Sequence, residues 1–237
     1  MVETVAPLAP VARKKVLLVD DHPLVLYGLA QLLSAEADLA VCAQAANAAE
    51  ALAAAEACRP DLAIVDLNLG ETDGLDLIRT MLGRWPDLPV LVVSMHKESL
   101  YAERALRVGA RGYVMKREAT RALVGAVRRV LAGEIHVSER MASVLLGKLA
   151  RGGDAADDAA AAMRTLSDRE FEVFRLMGMG MGPKDIAGKL GLSVKTIETY
   201  QDHLKRKLKA SNGRELLRLA MEHALEEGGE RRDKSTR

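Results

Sequence analysis

The sequence predicts an α/β domain, a doubly wound five-stranded parallel sheet, followed by an all-α domain of four helices. Between Lys14 and about Gly133 short apolar runs alternate with longer segments of helical period, which is how a parallel sheet wrapped by helices reads. Three of the runs, VLLVD, LAIVD and VLVVS, are continuously apolar and stop at a polar residue, as buried parallel strands do. From Leu166 to Leu225 there are helical segments separated by short breaks and no strand pattern. A chain of 237 residues is long for one core and comfortable for two. With 3% aromatic against 49% hydrophobic residues, Ala, Leu and Val build both cores.

Residues 1–13 are apolar and Pro-containing but lack a basic start followed by a long apolar stretch, so they read as an N-terminal extension rather than a signal peptide. No segment approaches the roughly 20 apolar residues of a membrane span, and a cytoplasmic protein with no membrane partner is expected. In the first domain, 14–133, strands are expected over Lys15 to Asp20, Leu39 to Gln44, Leu62 to Asp66, Pro89 to Ser94 and Gly112 to Met115. Residues 134–164 read as a linker: a short helix, Ser138 to Leu149, runs into RGGDAADDAAAAM, whose Gly, Asp and Ala show no period. Residues 165–226 form the helical domain, and 227–237, the end of EEGGERRDKSTR, read as a disordered tail.

In the helical domain Ser167 and Glu170 make a capping box ahead of Phe171, Val173, Phe174 and Leu176. Gly182-Pro183 opens the next helix, which ends near Gly191, and Ser193 caps the third. In that third helix Ile197, Tyr200 or Gln201, Leu204 and Leu208 recur at helical spacing and should face the core. Met177, Met179 and Met181 read as packing and loop filler. Cys42 and Cys58 stand neither at metal-ligand spacing nor in a disulfide framework, which fits a reducing compartment; no role for them follows from sequence. The formal net charge of +1 hides a basic run, Lys205-Arg206-Lys207 with Lys209.

In an open α/β sheet ligands bind beyond the carboxyl ends of the strands, and those ends carry Asp20, Asp21, Asp66, Ser94 and Lys116. With the first and third strands adjacent, three carboxylates share one pocket, where they repel one another unless a cation sits between them. Oxygen-only ligation with open positions suits Mg²⁺, and a metal screens a carboxylate nucleophile from an anionic phosphoryl group. Asp66 is thereby a candidate phosphoryl acceptor, with the Ser94 hydroxyl and the Lys116 charge available to phosphoryl oxygens. An acidic pair at a strand end is more often a turn or a cap, and a single lysine more often a surface residue. The signal is the coincidence of these residues at one end of different strands. His22, beside the acidic pair, reads as a helix-start residue.

The segment Lys15 to Leu131 resembles the receiver domain of two-component response regulators through VDDHPLVLYGL, IVDLNLGETDGLDLI, VVSMH and ALRVGARGYVMK. The resemblance implies a flavodoxin-like receiver that accepts a phosphoryl group on Asp66 from a sensor histidine kinase. It implies Asp21 and Asp66 as direct Mg²⁺ ligands, Asp20 as a water-mediated ligand and the Asn68 carbonyl as another. Ser94 and Tyr113 are the implied switch pair, the hydroxyl moving toward the phosphoryl group and the ring turning inward behind it, while Lys116 holds phosphoryl oxygens. A departure is Gly70, where the pattern often has proline, which alters loop stiffness.

A short helix, a Gly-containing turn and a second helix make a helix-turn-helix, whose second helix enters the major groove. In Val194 to Lys209 the stripe opposite the core is Lys195, Glu198, Thr199, Asp202 and Arg206. The segment Leu166 to Ala220 resembles the LuxR-type DNA-binding domain of the NarL/FixJ group of response regulators, most of all in PKDIAGKLGLSVKTIETY. By that resemblance Lys184, Lys195, Lys205, Arg206 and Lys207 hold phosphates of double-stranded promoter DNA, Thr196 joins the DNA contacts, and Glu198, Thr199 and Asp202 read bases. Carboxylates there favour the cytosine N4 donor and are repelled by phosphates. In the last helix, Gly213 to Leu225, Leu216, Leu217 and Ala220 are candidate contacts of a homodimer formed on phosphorylation or DNA binding, which would read an inverted repeat; intramolecular packing is the alternative.

The function expected is a phosphorylation-dependent DNA-binding transcriptional regulator and not an enzyme, its receiver catalysing only its own phosphorylation and dephosphorylation. A dehalogenase-type phosphatase would carry DxDxT after the first strand, where this chain reads VDDHP. A third alternative, a phosphate sink or protein-binding module, predicts little site-specific DNA affinity.

Overall fold

The computed structural model of the protein describes residues 13–70, 72–150, 162–163 and 165–229, in two compact units, Met1–Gly147 and Lys148–Arg237. Residues 1–12 of the expected extension, 151–161 and 164 of the expected linker and 230–237 of the expected tail lie outside the described residues.

The first unit runs β1 (Lys14–Val19), α1 (Pro23–Ser34), β2 (Leu39–Ala45), α2 (Ala48–Cys58), β3 (Leu62–Val65), β4 (Asn68–Leu69), β5 (Thr72–Asp73), α3 (Gly74–Arg84), β6 (Val90–Ser94), α4 (Glu98–Val108), β7 (Gly112–Met115), a 3₁₀ turn (Lys116–Glu118) and α5 (Ala119–Leu131). The main sheet has the order β2-β1-β3-β6-β7 and is parallel throughout, as the apolar runs predict. On one of its faces Val16, Leu18, Ile64, Leu91 and Val93 pack in one buried cluster with Leu26, Leu29 and Leu33 of α1 and Leu123, Val127 and Val130 of α5. Helix starts are chemically marked. Asn47 Oδ1 accepts from the Glu50 N–H while Glu50 Oε2 accepts from the Ala46 N–H, and Asp73 Oδ1 accepts from the Leu75 N–H, each satisfying donors that a helix start leaves open.

Register decides what meets at the sheet's carboxyl edge. Val19 stands beside Val65, so Asp20 and Asp66 leave adjacent strands at one level, and Ser94 stands beside Met115, one residue before Lys116. The small antiparallel pair β4–β5 follows directly on Asp66 and was not expected. Gly70, which follows β4, has φ 64°, a backbone conformation that glycine adopts without steric cost. Proline, fixed near −65°, cannot adopt that geometry, so the departure at Gly70 changes the loop's path as well as its stiffness. Gly74 closes the loop: a Cβ there would lie 2.3 Å from the Asp66 carbonyl oxygen.

Past Gly133 the chain adds to the β7 edge. The Tyr113 N–H donates to the His136 carbonyl at 2.8 Å and the His136 N–H to the Arg111 carbonyl at 2.9 Å. The buried Glu98 carboxylate at the start of α4 accepts the Ser138 N–H at 2.7 Å and its hydroxyl. Ser138 Oγ in turn accepts from the Met141 N–H in the first turn of α6 (Glu139–Ala150). The segment that composition assigns to a linker therefore begins within the first unit.

The second unit contains α7 (Asp168–Gly178), α8 (Pro183–Leu190), α9 (Val194–Lys207) and α10 (Gly213–Gly229). Ser167 and Glu170 form the expected capping box, Gly191 ends α8 with φ 67°, and Ser193 caps α9 through the Thr196 N–H. Helix α10 continues to Gly229, past the point where composition predicts disorder. Leu166, Phe171, Val173, Phe174, Leu176, Ile186, Ile197, Leu204, Leu216 and Ala220 make the core. Helices α7 and α10 touch backbone to backbone, since a Cβ on Gly178 would lie 2.3 Å from the Ala220 carbonyl oxygen. Gly178→Ala is expected to push the helices apart and cost about 3 kcal/mol, the upper range for an overpacked core, read as a lower denaturant midpoint of the helical domain's unfolding.

Candidate functional site

At the carboxyl edge of the sheet Asp20 and Asp66 are buried, 1% and 2% exposed, while Asp21 is half-buried. Lys116 Nζ bridges the two buried carboxylates, 2.6 Å from Asp20 Oδ2 and 2.7 Å from Asp66 Oδ2. Burial raises the Asp66 pKa above the ordinary aspartate value and the Asp20 charge adds to this; Lys116 pulls the other way without overcoming it. Burial works against the Lys116 charge, but Asp66 and Asp20 outweigh it and hold that pKa above the usual lysine value. Asp66 Oδ1 is buried and among the described residues has no hydrogen-bond donor. Three carboxylates and one lysine leave the pocket net negative, with an acceptor oxygen aimed into it.

Asp20, Asp21, His22 and Asp66 each bring one ligand atom to within 4.8 Å of the others. The donors are mostly carboxylate oxygens, and hard oxygen donors around an open position fit Mg²⁺. His22 precedes Pro23 at the start of α1 without a side-chain cap, so it is a helix-start residue, and its Nδ1 also leans on Asp21 Oδ1 at 2.6 Å.

Ser94 is 1% exposed, and its Oγ accepts from the His96 N–H at 3.3 Å. The Tyr113 ring is already inward, 1% exposed, with its hydroxyl donating to the His96 carbonyl at 3.0 Å. The His96 ring stacks on Tyr101 at 4.3 Å. Ser94 and Tyr113 thus hold the two ends of one loop residue, and the Tyr113 backbone also receives the His136 strand addition. Sequence reasoning missed His96 and the Glu98–Ser138 contact, which join residues far apart in the chain.

In the second unit α8 and α9 with the Gly191 turn have helix-turn-helix connectivity. Lys184, Lys195, Glu198, Thr199, Asp202 and Arg206 are exposed, and Ile197 and Leu204 face the core. Thr196 is half-buried and its Oγ1 lies 2.8 Å from Ser193 Oγ, which makes it part of the cap. Lys205 Nζ lies 2.7 Å from Asp202 Oδ1. Lys207, an expected phosphate contact, has partners within the domain. Its Nζ is 2.6 Å from Oε2 of Glu170, a 3%-exposed carboxylate, and donates to the Thr165 carbonyl at 3.1 Å, so it ties α9 to the start of α7. Of the three candidate dimer residues, Leu216 and Ala220 are buried in the domain's own core, as the packing alternative has it. Leu217, Met221 and Leu225 form the exposed apolar stripe of α10, at four-residue spacing that the alternation with Leu216 hid.

One family match falls on each unit: "Response regulator receiver domain" matches residues 16–128, and "Bacterial regulatory proteins, luxR family" matches residues 164–220. The chain is similar to the oxygen regulatory protein NreC of Staphylococcus carnosus, 33% identical over 89% of this chain and 98% of that one. It is similar also to the DNA-binding transcriptional activator DevR/DosR of Mycobacterium tuberculosis, 36% identical over 82% of this chain and 88% of that one. Among solved structures, RcsB of Salmonella enterica serovar Typhimurium, bound to the promoter rprA in the presence of the phosphomimetic BeF₃⁻, matches with a TM-score of 0.54 and 25% identity, covering 88% of this chain and 98% of that one.

Proposed function

The chain belongs to the response regulators of the NarL/FixJ group, a receiver joined to a LuxR-type DNA-binding domain, and from that membership we propose that phosphorylation of Asp66 by a sensor histidine kinase switches its binding to promoter DNA. One observation carries the site: a buried carboxylate whose one oxygen is held by Lys116 and whose other, Oδ1, has no hydrogen-bond donor among the described residues. Such an oxygen is free to attack phosphorus as the phosphohistidine N–P bond breaks, the histidine nitrogen keeping the electron pair and taking a proton. Asp21, Asp66 and the Asn68 carbonyl would hold Mg²⁺, with Asp20 acting through water. When bound, the ion screens the carboxylates from the incoming anion. Lys116, already between Asp20 and Asp66, takes a phosphoryl oxygen, and the Ser94 hydroxyl donates to another.

Tyr113 and Ser94 converge on His96, so drawing the Ser94 hydroxyl toward a phosphoryl group disturbs the Tyr113 hydroxyl contact and the edge where residues 134–138 attach. This is the means by which an aspartyl-phosphate shifts the population toward a DNA-competent dimer. On DNA, Lys184, Lys195, Lys205 and Arg206 hold phosphates while Glu198, Thr199 and Asp202 read bases of an inverted repeat. Leu217 with Met221 and Leu225 supplies the dimer contact. Among the described residues no helix is long and apolar enough to cross a membrane.

The test is selection from a random-sequence duplex library by the full chain, with and without Mg²⁺ and a small phosphoryl donor. Enrichment of an inverted repeat that strengthens with donor in wild type but not in Asp66→Asn is expected; enrichment indifferent to donor would remove the phosphorylation gate. Mg²⁺ binding has its own readout. At tenfold over its dissociation constant the ion stabilises the receiver by about 1.4 kcal/mol, a rise on the order of 5 °C in its calorimetric midpoint. Asp21→Asn and Asp66→Asn are expected to abolish that rise.

A further inference from the structure

Two cysteines that stand sixteen residues apart in sequence meet in the folded receiver, at an edge of the sheet that the phosphorylation chemistry does not use. Cys42 lies on β2 and Cys58 is the last residue of α2. Both are half-buried thiols, and their sulfurs are 2.6 Å apart. The strand is irregular there. Val16 pairs with Val41 and Leu17 with Ala43, so Cys42 is the extra residue of a β-bulge, a device that re-aims a side chain out of the regular pleat. The backbone that carries the opposing sulfur is held as well: Lys15 Nζ donates to the Cys58 carbonyl at 3.3 Å, and Arg59 ends the helix in a left-handed conformation, φ 45°. A disulfide S–S bond measures about 2.04 Å, so closure asks the two sulfurs to approach by roughly 0.6 Å from their 2.6 Å separation.

We propose that Cys42 and Cys58 form a dithiol oxidation site, whose substrate is a peroxide and whose product is an intramolecular disulfide joining the end of α2 to the bulge in β2. Burial, and then the neighbouring Cys58 thiol, push the Cys42 thiol up to about 12, so Cys42 keeps its proton at neutral pH and Cys58 is the attacking sulfur. The Cys58 sulfur bonds to one peroxide oxygen, the O–O bond breaks, and the other oxygen leaves as water or an alcohol with the Cys58 proton. The Cys42 sulfur then attacks the sulfenic acid at Cys58; the S–O bond breaks and hydroxide leaves as water with the Cys42 proton. Each sulfur gives up one electron and the peroxide is reduced by two. Neither the reaction nor its site depends on Asp66, so the proposal stands apart from the phosphorylation reading.

The experiment treats the reduced full chain with hydrogen peroxide, quenches with an alkylating agent and follows intact mass, peptide map and migration on a non-reducing gel. Expected are loss of two hydrogens with no alkylation, a cross-linked peptide carrying Cys42 and Cys58, and a monomer band. Cys42→Ser, which removes the resolving sulfur, is expected to leave Cys58 as a sulfenic acid that dimedone captures, while Cys58→Ser leaves Cys42 reduced and alkylated. The proposal is overturned by separate over-oxidation of the two thiols without a cross-linked peptide, by disulfides between chains only, or by thiols that persist at peroxide concentrations that oxidise free cysteine in the same tube.

Discussion

Asp66→Asn is expected to take up no phosphoryl group: with Mg²⁺ and a labelled small phosphoryl donor, hydroxylamine-labile phosphate on the variant stays at background while wild type approaches stoichiometric label. The amide keeps the shape of the carboxylate and loses its nucleophilic charge. Neighbouring carboxylates are poorly set to substitute. Asp20 gives Oδ2 to Lys116 and Oδ1 to the His22 N–H, and Asp21 Oδ1 faces the His22 ring. Loss of label could also follow from unfolding, and the electrostatics of the pocket separate the two causes. The folded pKa of Asp66 is raised, by burial first, so its protonated form is favoured in the native state. The stability this contributes is fully present below the unfolded value of 3.8 and is lost as pH rises through the folded pKa. Asparagine cannot ionise and does not suffer that loss. Without Mg²⁺ the variant is therefore expected to unfold at a higher denaturant concentration than wild type at pH 7, the gap closing as pH falls toward 4. Label on a stably folded Asp66→Asn protein would move the acceptor role to another carboxylate.

The parts of this architecture that sequence discloses are those in which local pattern and global fold agree. VLLVD, LAIVD and VLVVS announce buried strands because a parallel strand covered on both faces has no polar positions to alternate, and the polar residue that ends each run lies at the sheet's carboxyl edge. Ser167, Glu170, Pro183, Gly191 and Ser193 mark the helical domain because caps and breaks are chemistry within a single turn. The rest escaped for physical reasons that differ case by case. The strands β4 and β5 hold two residues each, too few to show a period, and only Gly70 signals their turn. Glu98 and Ser138 are forty residues apart and neither is unusual alone. Leu216 and Leu217 are adjacent leucines on one helix, one buried and one exposed, a difference set by what packs opposite. Cys42 and Cys58 read as unrelated because a bulge, invisible in composition, turns one toward the other.

The basic run Lys205-Arg206-Lys207 gives the second large effect, since Lys207 is paired with the buried Glu170 while Arg206 is exposed. Each phosphate contact contributes about 0.9 to the slope of log K against log salt. Combined replacement of Lys184, Lys195 and Arg206 with alanine is thus expected to flatten the slope by about 2.7 and weaken binding roughly 10²-fold at physiological salt, while far-ultraviolet circular dichroism and the unfolding midpoint stay as in wild type. Lys207→Ala should do the reverse. Burial alone would raise the Glu170 pKa, yet Lys207 and the Ser167 amide hold it below the ordinary glutamate value, so the ionised pair stabilises the fold above pH 4.5 and that stability is lost as pH falls through the depressed pKa. Removing the lysine leaves a buried carboxylate with the Ser167 amide and the His203 ring beside it but without the lysine charge. Because Lys207 itself is one-third exposed, the cost is discounted to about 1–2 kcal/mol at neutral pH, vanishing in acid as Glu170 protonates. Equal flattening of the salt slope by Lys207→Ala and Lys195→Ala would mean that DNA draws Lys207 away from Glu170. Binding would then be coupled to the opening of the α7–α9 clamp, and the helical domain would lose, on meeting DNA, part of the stability it has when free.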